Sequence, residues 1–149
     1  QFDGKHELLL ALFEDALNRS ADQIRAATAS EADPIERLKV AIQLLFESTR
    51  PDPTARRPIF TDFAPRLLVS HPSEVKVAHA PLLALLTELM EDASEAGVLR
   101  TGINAHRMAA MTMQTVMFVA QSSSSDDAST KPITADEVWD FCAHGFAAD

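Results

Sequence analysis

The chain has 149 residues, enough for one domain with a sizeable core, and its 13 basic against 22 acidic residues give a net charge of −9. That balance repels phosphate backbones and argues against this segment holding nucleic acid by itself. Four glycines, where average usage predicts about ten, exclude a glycine-rich phosphate loop, and a single cysteine, Cys142, excludes an internal disulfide. Cysteine usage suits a reducing cytosol, and with no signal peptide, lipidation motif or membrane span in the sequence the expected location is cytoplasmic. No window alternates apolar and polar residues with β-branched enrichment, while a 3.6-residue period recurs throughout, so the fold class is all-α. The chain opens in mid-pattern without an initiator Met, and is expected to be a fragment of something longer.

The first stretch, QFDGKHELLLALFEDAL, has Gly4 as candidate N-cap and Glu7 in the first turn. Leu8, Leu9, Leu12, Phe13, Ala16 and Leu17 then repeat at helical spacing, and the pattern continues through Ile24 towards Ala27. Phe2, Gly4-Lys5, Glu7 and Leu8-Leu9-Leu10 resemble the junction at which the DNA-binding region of TetR-family transcriptional regulators passes into the first long helix of the regulatory domain. The resemblance implies a regulatory domain of about six helices whose last two form a four-helix bundle across a two-fold axis. Residues 1–4 would then be the end of an N-terminal DNA-binding module, and 5–149 the effector-binding and dimerisation domain. It also implies a homodimer, a small-molecule effector, and operator DNA as a partner through a helix-turn-helix that this sequence does not contain. Lys5 falls where the family touches a DNA phosphate from a helix N-terminus, a place where charge and dipole both favour an anion.

After the polar break TASEAD, Asp33-Pro34-Ile35-Glu36 supplies an N-cap, a proline at the first helical position and a capping acid. Ile35, Leu38, Ile42, Leu45 and Phe46 mark one face of this second helix, which must stop before Pro51 and Pro53. Thr54 to Ser70 contains Pro58 and Pro65 and predicts one short helix or two broken turns, carrying Phe60, Phe63, Leu67 and Leu68. Arg56, Arg57 and Arg66 there are expected to be solvated or paired with Asp62. His71-Pro72-Ser73-Glu74 starts the next helix, whose buried face is Val75, Ala78, Leu82, Leu85, Leu86, Leu89, Met90 and Ala93, with Gly97 as its stop. Pro81 inside it predicts a kink or break near His79 and Ala80.

Asn104 caps a helix running to Ser122 that is apolar over roughly 260° of its circumference, where a surface helix needs a stripe of about 100°. Arg107, Gln114 and Gln121 form its narrow polar seam. The arc is wider than one partner covers, so the helix is expected to be buried on two sides, against its own core and against another subunit, the alternative being a central helix wrapped on all sides by its own monomer. Gln121 to Pro132 is low in complexity and reads as a loop. Thr134 and Glu137 form a capping box for the last helix, Ile133 and Val138 a hydrophobic staple, and Ala135, Val138, Trp139, Cys142, Ala143 and Phe146 a broad apolar side. The expected dimer interface is Met113, Val116, Met117, Ala120, Val138, Trp139, Cys142 and Phe146, because an isologous contact needs a self-complementary apolar patch.

Five histidines, His6, His71, His79, His106 and His144, include no pair at i and i+4, and no GxSxG or HExxH occurs. No metal site, cofactor or catalytic group is expected, and the chain does not read as an enzyme. The positive signal is a set of deformable apolar side chains, Phe46, Phe60, Phe63, Met90, Met108, Met111, Thr115 and Phe118. They read either as ordinary core or as the lining of one apolar ligand site, with Thr115, Asp62 or His79 orienting a polar end. Two functions follow: a ligand-responsive transcriptional regulator, most simply a repressor, or a helical homodimeric adaptor without a small-molecule site.

Overall fold

The computed structural model describes residues 4–50, 69–122 and 132–148. The expected helix between Thr54 and Ser70, with Phe60, Asp62 and Phe63, lies almost wholly outside the described residues, as do residues 1–3 and most of the expected loop between Gln121 and Pro132. Among the described residues the fold is all-helical: α1 (Gly4–Thr28), α2 (Pro34–Thr49), α3 (Pro72–Glu95), α4 (Ala105–Ser122) and α5 (Ala135–Phe146).

The helix ends form where the local chemistry requires them. Asp33 accepts from the Ile35 amide at 3.0 Å and Pro34 opens α2, satisfying amides that no helical carbonyl reaches. At the end of α3, Gly97 adopts a left-handed φ of 76°. It donates to the Ser94 carbonyl while Val98 donates to Ala93, the double bond pattern of a Schellman stop. Asn104 accepts from the Arg107 amide at 3.0 Å, starting α4. Thr134 and Glu137 close the expected box in both directions, at 3.2 and 3.1 Å. Gly4, expected as a cap, is instead helical, within α1.

The core is organised around α2, which packs against all four other helices. Leu38, Ala41, Ile42, Leu45 and Phe46 are fully buried on its inner face. On α1 the buried stripe is Leu10, Phe13, Leu17, Ala21 and Ile24. Leu8 and Leu12, expected inside, remain exposed, Leu8 by 61%, because the first turns of α1 meet the described core along the Leu10–Phe13–Leu17 line. Helices α1 and α3 run in the same direction: the Phe13 and His79 rings meet edge-on at 5.3 Å, and Arg25 reaches Glu88 at 3.2 Å. Arg37 of α2 reaches Asp92 of α3 at 3.4 Å, and Gln43 donates to Asp136 of α5 at 2.7 Å.

Helix α3 does not break at Pro81. Proline leaves the Val77 carbonyl without its helical donor, but Val77 and Pro81 are both exposed, so water can replace that donor. Leu82, Leu85 and Leu86 hold the helix in register from the other side. Beyond α5, the chain returns to the α3–α4 connection: Leu99 and Ala147 form an antiparallel bridge, and Ala148 donates to Val98 at 2.9 Å.

Candidate functional site

Helices α4 and α5 lie antiparallel on one side of α2 and leave a groove of about 840 Å³ between them, lined by Met108, Met111, Thr115, Asp140, Phe141 and Cys142 among others. Its apolar walls are uncovered. Phe141 is 71% exposed and Met111 56%, and Phe118, outside the groove on the Met111 face of α4, is 71% exposed, values that an aromatic or methionine in a closed core would not have.

The positions of these residues follow from helix geometry. Relative to Arg107, at about 100° per residue, Met111, Gln114, Phe118 and Gln121 all fall within about 40°, so the polar seam of α4 carries two large apolar side chains. Core contact sets the opposite face, where Ala109, Thr112, Met113, Val116, Met117 and Ala120 are buried. On α5, Val138, Cys142 and Phe146 point inward, and Phe141 is turned away from them onto the surface. Trp139 is half-buried, its ring tilted against Phe146 at 5.9 Å.

The expected dimer residues lie mostly on the inner side of these helices. Met113, Val116, Met117, Ala120, Val138, Cys142 and Phe146 are buried within their own chain and have almost no surface left to give a second copy; of the eight, only Trp139 is partly open. The expected ligand residues separate as well. Phe46 and Met90 lie fully inside the helical core, with the Arg50 guanidinium 5.8 Å from the Phe46 ring centroid. Met108 and Thr115 are half-buried and Met111 and Phe118 exposed on the outer face; Phe60 and Phe63 lie outside the described residues. Of the six that are described, Met108, Met111 and Thr115 line the groove between α4 and α5, and Phe46, Met90 and Phe118 do not. Phe141 was overlooked, although an aromatic set off the Val138–Cys142–Phe146 line beside Asp140 was a readable sign.

The groups with titration behaviour are inert in character. Burial pushes the Cys142 thiol up to about 11, so near neutrality it is a protonated, poorly nucleophilic group. His79 is held below its ordinary value by burial, an effect only partly opposed by its 2.8 Å hydrogen bond with the Val75 carbonyl. A carbonyl only accepts, so Nδ1 carries the proton there. Lys5 is exposed in the first turn of α1. Among the described residues no group of three or more His, Cys, Asp or Glu is placed to hold a metal ion, and no helix is long and apolar enough to cross a membrane.

Comparison with protein-family models and with curated proteins gives no match. Among solved structures, the chain is similar to the fatty acid degradation regulator FadR from Bacillus halodurans, with a TM-score of 0.73 and 19% sequence identity over 97% of this chain and 77% of that one. At that identity the likeness shows a shared helical fold.

Proposed function

We propose that this chain is the ligand-responsive, dimer-forming domain of a TetR-type transcriptional regulator, acting as a repressor through an N-terminal helix-turn-helix. The observation that carries this reading is the fold match to a fatty acid degradation regulator over 97% of the chain. The junction-like sequence at Phe2–Leu10 and the uncovered face of α4 and α5 support it. The two copies meet through Met111, Thr115, Phe118 and Phe141. The effector is an apolar or amphipathic molecule, with long-chain fatty acids the first class to try. It binds inside the bundle against Phe46 and Met90. Both described contacts are fully buried, so ligand entry requires the helices to separate. A ligand that binds the separated arrangement better shifts the population towards it and changes the spacing of the two DNA-reading modules.

Thermal melts of the chain with long-chain fatty acids and a broad apolar library test the ligand. Specific binding raises the melting temperature with ligand concentration by mass action; no rise with any compound favours the adaptor. In a protein that carries the DNA-binding module, effector and operator should weaken each other's binding by the same factor, about 5- to 150-fold. Independent titrations would remove the switch.

A further inference from the structure

The groove between α4 and α5 holds a hydroxyl that its own chain leaves unsatisfied. Thr112 is only 5% exposed, yet its Oγ1 has no hydrogen-bond partner among the described residues. Thr28 and Thr87 turn theirs back onto the carbonyls of Ile24 and Leu83, one turn earlier. No fully enclosed side-chain oxygen among the described residues lacks a partner, so the Thr112 oxygen opens onto the groove that this residue lines. Thr115, half-buried and one turn further along α4, lines it too. Charge in the groove is one-sided. Glu137 and Asp140 belong to its lining, and no Lys or Arg among the described residues does. The His144 Nδ1 donates to the Asp140 backbone carbonyl at 2.7 Å and stands 3.5 Å from its carboxylate. Arg100 lies at the far end, where it donates through its amide to the Phe146 carbonyl at 2.9 Å and through Nε to Gly145 at 2.7 Å. Glu137 is about 12 Å along α5 from Gly145.

We propose that this groove is a second ligand site, separate from the one inside the bundle, and that it takes a small amphipathic amine. The ammonium lies between Asp140, Glu137 and the two threonine hydroxyls, and the apolar tail runs along Met108, Met111 and Phe141. An ammonium has three donors and no acceptor, which suits two carboxylates and two open hydroxyls. A buried hydroxyl without a partner carries a desolvation penalty that such a donor removes. A carboxylate ligand would meet Glu137 and Asp140 as like charges, so fatty acids are excluded here. The volume of about 840 Å³ falls in the range of sites for small organic molecules, about 300–1,000 Å³. The site does not require the dimer, but a second copy seated through Met111 and Phe141 would cover the same groove, and the amine and the partner copy then compete.

Calorimetric titration of the whole chain with octylamine, octanol and octanoate tests the site, since the three share one tail and differ in the head. Octylamine is expected to bind about tenfold more tightly than octanoate. Asp140→Asn should weaken octylamine about threefold and leave octanol unchanged. Thr112→Val, which exchanges hydroxyl for methyl at equal size, should weaken octylamine about threefold or more without lowering the melting temperature, because it removes an unpaired hydroxyl. Glu91→Gln, a charge change on the exposed side of α3, should alter nothing. No binding of octylamine, equal binding of amine and carboxylate, or a loss with Glu91→Gln as large as that with Asp140→Asn overturns the site. Sedimentation separates this from the dimer: a monomeric chain that binds octylamine keeps the site and removes the dimer, and a dimer that binds none keeps the dimer and removes the site. A dimer that binds octylamine with an unchanged dissociation constant places the ligand elsewhere and overturns the groove.

Discussion

His79 shows how one side chain records its surroundings. Its ring meets Phe13 of α1 edge-on and its Nδ1 is tied to Val75, so the neutral form fits the site and the imidazolium would lose water. The folded value is lowered from 6.5, while the unfolded chain keeps the ordinary one. Below about pH 6.5 the unfolded state therefore binds more protons. The stability contributed by neutral His79 is fully present above that pH and is lost as pH falls through the folded value. Melting temperatures measured from pH 7.5 to pH 5 should fall, and His79→Leu should reduce that fall; an unchanged slope in the variant would assign the acid sensitivity elsewhere. Gly97 is another residue whose identity its site demands, as is Gly102 with a φ of 83°. A φ of 76° is open to glycine at no steric cost, whereas a Cβ there raises the energy by about 1–2 kcal/mol.

At the scale of the helix, propensity and capping decided where elements begin, and packing decided which face turned inward. The Thr134–Glu137 box is a local device, legible from four residues and formed as expected. Thr134→Ala should lower stability by about 0.5–2 kcal/mol, read as a shift in a denaturant midpoint at unchanged slope. A drop well below that range would mean that the bridge of Leu99 with Ala147 and the Arg100 contacts already hold α5 in place. Pro81 taught the opposite lesson. A proline signal that predicts interruption on a free helix is tolerated here because the affected carbonyl faces outward and the leucines on the other side are buried. Sequence also singled out α4 as the most apolar helix, yet α2, with an ordinary amphipathic pattern, touches each of the other four described helices. Apolar content measures how much surface must be covered and says nothing of which neighbours cover it.

For the whole molecule, the open question at a 71%-exposed phenylalanine is what covers it. Phe118→Glu should leave the melting temperature of the monomer nearly unchanged, within about 0.5 kcal/mol, since the side chain makes little contact with its own core. The same change should abolish self-association in sedimentation, because it sets a charge at the centre of the proposed apolar contact. A dimer that survives Phe118→Glu would move the interface to another surface. The same substitution separates the two functional readings, because a ligand site inside the bundle would still raise the melting temperature when the dimer is gone.

The sequence by itself determined the all-helical class, the starts of α2, α3, α4 and α5, the stops of α2 and α3, and the surplus of apolar surface on α4. Each of these is fixed by interactions a few residues apart: a cap, a proline, a left-handed glycine, a period of about 3.6. Only the tertiary structure decided that Met113, Val116 and Met117 face the chain's own core and Met111, Phe118 and Phe141 the outside. A helix apolar nearly all round has no unique inward direction of its own. That choice is made by its contacts with α2, which lies distant in sequence, and with α3, which packs back on it across a short connection.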